Sequence, residues 1–227
     1  DITSNNANRS TTDVTSYGID LFGGLKITPK TVIDTSASYV HNKNSTIRYA
    51  VGGVSGTNAD ADYVSQQVSL HSRLSHRYKT RGNLTITPSA TFNYDQITTA
   101  EYEEAGAKNL ALAVDHDAIN RMALGAGVDL EWEHQTEGGM TIRPKAYAKY
   151  SYDFANDGVR AISNFRVSEK NKFVTEGFEP QRSQINLGSA LDVHVTEKMK
   201  LSAGYDFEYK DEYDAHTGHV SIVRDFY

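Results

Sequence analysis

The sequence predicts an all-β chain, a transmembrane antiparallel up-and-down β-barrel, and three observations carry that prediction. Segment after segment alternates apolar and polar residues with period two, as a strand does when one face meets lipid and the other water. The connections alternate between tight turns, near residues 28, 80, 137 and 197, and long polar links at about 42–62, 96–120, 155–183 and 211–217. The chain then ends on an alternating strand that closes on an aromatic pair, with Val220, Ile222 and Phe226 on one face and His219, Ser221 and Asp225 on the other. A barrel with brief turns on one side of a membrane and extended loops on the other produces this alternation of links, whereas a Greek-key sandwich has no reason to.

Taken in order, the first apolar faces are Tyr17, Ile19, Leu21, Gly23, Leu25 and Ile27, then, after the Thr-Pro-Lys-Thr turn at 28–31, Ile33, Thr35, Ala37 and Tyr39. The next hairpin shows Val64, Val68, Leu70, Leu74 and Tyr78, then Leu84, Ile86, Pro88, Ala90, Phe92 and Tyr94. A third shows Met122, Leu124, Ala126, Val128, Leu130 and Trp132, then Ile142, Pro144, Ala146, Ala148, Tyr150 and Tyr152. Ile185, Leu187, Leu191, Val193 and Val195 follow, then Leu201, Ala203, Tyr205, Phe207 and Tyr209, and the terminal strand makes nine. Arg224 interrupts the apolar face of that last strand. The parity of the links places the end of the chain, Tyr227, on the short-turn side. Leu110, Leu112 and Val114 also alternate, but a full span there would break the parity, so they read as a strand outside the membrane. Pro88 and Pro144 hold matching places in two similar hairpins, each near the start of its strand, where the missing N–H is tolerated.

Composition agrees once the barrel is considered. Mean hydropathy is -0.54 and charged residues make up 23%, and no apolar run approaches the roughly 20 residues of a spanning helix. In a barrel only alternate side chains touch lipid, so low hydropathy excludes the helix and not the membrane. Tyrosine dominates the aromatics, 14 against 8 Phe and 1 Trp, as suits rings at a bilayer interface with the hydroxyl towards water. The absence of cysteine removes disulfides and thiolate chemistry. A net charge of -6 gives no basic footprint, which sets nucleic acid aside as a partner. No signal peptide heads the chain, so the sequence is expected to be the mature or C-terminal part of something longer.

More specific runs are present. Leu-Gly-Ala-Gly-Val around Gly125 and Gly127, the run from Arg143 to Phe154, Phe178-Glu-Pro180 ahead of Asn186-Leu-Gly188, Ser202-Ala-Gly-Tyr-Asp206 and His216-Thr-Gly218 stand in an order that resembles the translocator β-domain of autotransporters, the type V secretion family. The resemblance spans nearly the whole chain, residues 1–227, as one outer-membrane barrel domain. It implies a twelve-stranded barrel, incomplete here at the N-terminal side, with a helix in the pore joined to an N-terminal passenger that is exported to the cell surface. It also implies outer-membrane lipid as surroundings, and the barrel-assembly machinery as the partner that grasps Gly218, Val220, Ile222, Phe226 and Tyr227 by strand addition. No catalysis and no cofactor or metal are expected from it.

On that reading Asp129, Glu131 and Glu133 line the lumen beside Arg143, Lys145 and Lys149, with His71, Arg73, Arg77, Asp206, Glu208 and Lys210 extending the lining. Opposite charges on neighbouring strands are expected to pair, as a hydrated passage or as plain stiffening of a polar interior. The remaining candidates read as bland. Asp115-His116-Asp117 lies in a long polar link, His216 and His219 near the last link read as similarly exposed, Glu101, Glu103 and Glu104 read as a solvated loop face, and Asn5-Asn6 lacks the surrounding helix that self-cleavage would need. Two alternatives stay open: a ten-stranded outer-membrane protease with Asp and His at its external rim, and a free-standing porin or adhesin whose function lies in its loops, of which Phe165, Phe173 and Phe178 are the aromatic anchors.

Overall fold

In the computed structural model, which describes residues 2–3, 10–49, 51–53, 57–156, 158–168, 170–177, 179–196 and 198–225, alternation has become nine long strands in one curled antiparallel sheet. They are β1 (Ser10–Thr28), β2 (Thr31–Arg48), β3 (Ala59–His76), β4 (Leu84–Thr99), β5 (Ile119–Trp132), β6 (Thr141–Asn156), β7 (Ser183–Thr196), β8 (Met199–Lys210) and β9 (Tyr213–Arg224). Each pairs with its neighbour in sequence, so the sheet is a pure meander. Ile2–Thr3 pairs with the outer edge of β1, and among the described residues no strand pairs with the outer edge of β9.

The register puts apolar residues opposite apolar residues. One row runs Leu25, Ile33, Leu74, Ala90, Ala126, Tyr150, Ile185 and Tyr209 across eight strands. It starts near the turn end of β1 and finishes at the link end of β8, a drift that is the shear of a tilted, curling sheet. These side chains face out. Leu21 is 66% exposed, Leu25 65% and Val220 81%, which is untenable in water and natural against lipid. The opposite, polar face is the more sheltered one, as the concave side must be.

Both prolines explain themselves. Pairing of β4 with its predecessor breaks between Ser75↔Ser89 and Tyr78↔Ile86, and pairing of β6 with its predecessor breaks between Glu131↔Lys145 and His134↔Ile142. Pro88 and Pro144 stand at those gaps, where no N–H is required.

Four links differ from the sequence expectation. Strand structure in the 42–62 link continues to Arg48 and resumes at Ala59, because the chain there stays extended beyond the lipid, where polar residues on both faces leave no alternation to read. The expected long link at 211–217 is a two-residue turn at 211–212, with Glu212 in the left-handed region at φ 62°. The other long links, around 100–118 and 157–182, build a second sheet in the order Lys172–Glu176, Arg160–Phe165, Leu112–His116, Tyr102–Glu103. Leu112 and Val114 are thus strand residues, as their alternation suggests, in a sheet apart from the main one.

Candidate functional site: the polar face and its outer rim

Side chains on the concave face come from even positions of β2, β7 and β8 and odd positions of β3 to β6, and curling brings non-adjacent strands within reach of one another. The three acid–base pairs expected between β5 and β6 form: Glu131 with Lys145 at 3.5 Å, Asp129 with Lys149 at 3.9 Å, and Glu133, at the rim just after β5, with Arg143 at 2.9 Å. Asp129 is also paired with Arg73, which reaches over β4 to meet it. Lys145 makes a closer contact with Asp192 of β7, 2.8 Å, and Lys200 of β8 binds the same carboxylate at 3.0 Å. Ser202 Oγ donates to Asp192 at 2.7 Å, so that buried carboxylate has three partners. Near the external end Arg121 bridges Asp153 at 3.0 Å and Asp95 at 3.8 Å, and His71 lies 3.2 Å from Asp95. Glu208 pairs with Lys210, and Asn186 donates to it at 3.4 Å.

Tyr147 is the odd member of this face. It crosses β7 at Gly188, where there is no side chain, and donates to Asp206 of β8 at 2.6 Å. Lys149 rests over its ring at 4.3 Å, and His219 approaches Asp206 from β9 at 3.5 Å. Asp192, Lys200, Tyr147 and Gly188 are absent from the sequence-based lining. Asp192 was within reach of strict parity from Leu191 and Val193, but the Tyr147–Gly188 crossing depends on register, which parity does not fix.

At the outer rim the reading of Glu104 as a solvated acid is wrong: it is buried, and Arg48 donates to it from Nε and Nη2 at 3.0 and 2.5 Å. The reason is a partner 56 residues away, invisible to local composition. Glu103, by contrast, remains exposed and pairs with Arg166 at 3.0 Å. Tyr102 stacks on Tyr63, and its phenol is pushed up to about 12 by burial, with Tyr63 and Glu104 adding to the shift and Arg48 opposing it. His116 packs against Tyr102, and Asp117 pairs with Arg160 at 3.0 Å, so both are engaged in the second sheet. No group of three or more metal-ligating side chains occurs among the described residues. His216 lies between Tyr205 and Asp214 on the outward face of β9, and Phe165 contacts Phe173. Gly218, Val220 and Ile222 are outward and exposed on β9. Phe226, Tyr227, Asn5, Asn6 and Phe178 lie outside the described residues.

The family model of the autotransporter beta-domain matches residues 1–206. Outer membrane protein B of Rickettsia conorii is 20% identical over 220 residues, and the protein of that name from Rickettsia prowazekii is 19% identical over the same length. The match takes in 95% of this chain but 13% of each of those proteins, so the chain spans a small part of the length of its curated relatives. Among solved structures, the translocator domain of the autotransporter NalP from Neisseria meningitidis superposes with a TM-score of 0.62 at 16% identity, covering 99% of this chain and 71% of that one. The beta domain of the Bordetella autotransporter BrkA gives 0.58 at 14% identity, covering 96% and 76%. Those two likenesses show the fold; the family model adds the lineage. The chain belongs to the autotransporter family, as a β-domain of the bacterial outer membrane.

Proposed function

We propose that this β-domain anchors a longer polypeptide in the outer membrane and helps carry that polypeptide's N-terminal passenger to the cell surface, acting as a transport module and not as an enzyme. The observation that supports this best is the pairing of charges on the concave face of β3 to β8. Asp129, Glu131, Glu133 and Asp192 are each matched to Arg73, Lys145, Lys149, Arg143 or Lys200. The neighbouring strand β4 adds hydroxyls to the same face, among them Thr85, Thr87, Ser89 and Thr91. An unpaired buried charge would hold a passing chain by charge-assisted bonds, whereas a wall whose charges are already satisfied lets it slide. Among the described residues the outer edge of β9 has no partner strand and that of β1 has only Ile2–Thr3, and such edges cannot face lipid unpaired. Further strands therefore complete the barrel, and the barrel-assembly machinery takes up β9 through Gly218, Val220 and Ile222 while it forms. The rim residues that a protease would need are engaged elsewhere, His116 on Tyr102 and Asp117 on Arg160.

The test is display. With the full parent polypeptide expressed in cells, external protease should digest the passenger, and deletion of the region 10–225 should leave the passenger protected inside the cell envelope. Passenger that reaches the surface equally well without this region would refute the translocator role.

A further inference from the structure

The external side of the sheet is uneven. Beyond their lipid-facing runs, β1 carries Asp13 and Thr15 outward, β2 carries His41, Lys43 and Ser45, and β3 carries Asp60 and Asp62. These strands rise past the apolar belt by roughly 5 to 8 residues, about 15–25 Å at strand rise. By contrast β8 is apolar outward as far as Tyr209 and stops at Lys210.

The second sheet lies against the concave side of the raised wall. Asn44, Arg48, Ala59, Ala61 and Tyr63 have concave-face parity, and Asn44, Ala59 and Ala61 are buried. What covers them comes from the long links. Tyr102 stacks on Tyr63 at 4.3 Å, Ala107 and Ala111 close a small cluster with Val51 and Ala59, and Ala107 N–H donates to the Asn58 carbonyl at 2.8 Å. At the centre Arg48 grips Glu104, and Glu104 in turn accepts the Leu112 N–H at 2.9 Å, which ties the second sheet to the wall.

We propose that this small sheet is a lid on the external mouth and that the Arg48–Glu104 pair is the latch that seats it. Three features support a movable seat. The seat is one valine, three alanines and the Tyr63–Tyr102 stack, joined by the short backbone pairing of Ala59 with Gly106 and Asp60 with Ala105, and among these fastenings Arg48–Glu104 is the charged one that a single substitution removes. The fastening is one-sided, since the far strand, Lys172–Glu176, is exposed throughout and ends the sheet among the described residues. Gly106, Ala107 and Lys108, at φ 77°, 43° and 48°, form a run of left-handed backbone along the seam, a costly conformation at Ala107 and Lys108. The lid rests on the translocator reading only for what passes the mouth; its motion can be measured whatever the passenger does.

The chain has no cysteine, so Ala61→Cys in the full parent polypeptide gives one reporter beneath the lid. In intact cells a membrane-impermeant maleimide should label it slowly. Glu104→Gln or Arg48→Gln should speed labelling at least tenfold while the barrel stays heat-modifiable, and the exchanged pair, Arg48→Glu with Glu104→Arg, should restore protection. Unchanged labelling in a folded Glu104→Gln barrel, or an exchanged pair as reactive as the single variants, overturns the latch. Amide exchange on the unaltered protein gives an independent reading. The amides of 102–116, 160–165 and 172–176 should exchange together and well ahead of β2 and β3, and exchange no faster than those strands overturns the lid.

Discussion

At Gly188 a single methyl group decides the packing of three strands. A Cβ there would fall 2.1 Å from Tyr147 Cε1 and 2.8 Å from Asp206 Oδ1, inside the hydrogen bond that crosses β7. Gly188→Ala should therefore displace the tyrosine and destabilise the folded domain by about 1–3 kcal/mol, the usual range for overpacking, read as a lower denaturant midpoint of the heat-modifiable form. Tyr147→Phe keeps the ring over the glycine and loses only the bond to Asp206, so it should cost about 1 kcal/mol. An alanine variant as stable as the parent would mean that the crossing is incidental. The alternation places Tyr147 on the polar face, but nothing in the sequence tells a lining tyrosine from a crossing one until register sets Gly188 beside it. Glu104 illustrates the same limit, because local polarity could not announce Arg48.

Among the elements, what was legible is what lies in lipid. The outward runs of β3 to β8 agree with the sequence reading almost residue by residue, since burial against hydrocarbon enforces period two. The raised ends of β1 to β3 and the 211–212 turn were not legible, because water on both sides removes that constraint. The turn carries its own prediction. Glu212 holds a left-handed conformation that costs an ordinary residue about 1–2 kcal/mol, so Glu212→Gly should stabilise the β8–β9 hairpin by up to about 1 kcal/mol after the added chain entropy, seen as a higher unfolding midpoint. The seat of the second sheet carries another. The Tyr102 phenol is raised to about 12 in the folded protein, above the ordinary tyrosine value of about 10, so the neutral form is favoured by folding. Its contribution is full below pH 10 and is lost as pH rises through about 12. Tyr63, Glu104, Arg48 and His116 face the same site, so the control is Tyr102→Phe. Amide exchange of 102–116 should accelerate between pH 10 and 12 beyond the intrinsic base-catalysed rate in the parent, and less in that variant; an equal excess would assign the effect elsewhere.

On the scale of the molecule, nine strands make a curled sheet with an apolar outside, a charge-paired inside and two edges. The edges yield a direct prediction: residues 10–225 purified alone should migrate identically with and without boiling, because an unclosed sheet lacks the resistance of a closed barrel. A heat-modifiable band from that piece would show that it closes by itself. The central claim, however, is that one face meets lipid and the other a hydrated passage, and β5 tests it best. Single cysteines from 122 to 132 in the cysteine-free parent, reconstituted in bilayers, should alternate strictly. Leu124, Ala126, Val128 and Leu130 positions should respond only to a lipid-soluble probe, and Gly125, Gly127, Asp129 and Glu131 positions only to a water-soluble one. Uniform reactivity towards the water-soluble probe along the strand would contradict the account.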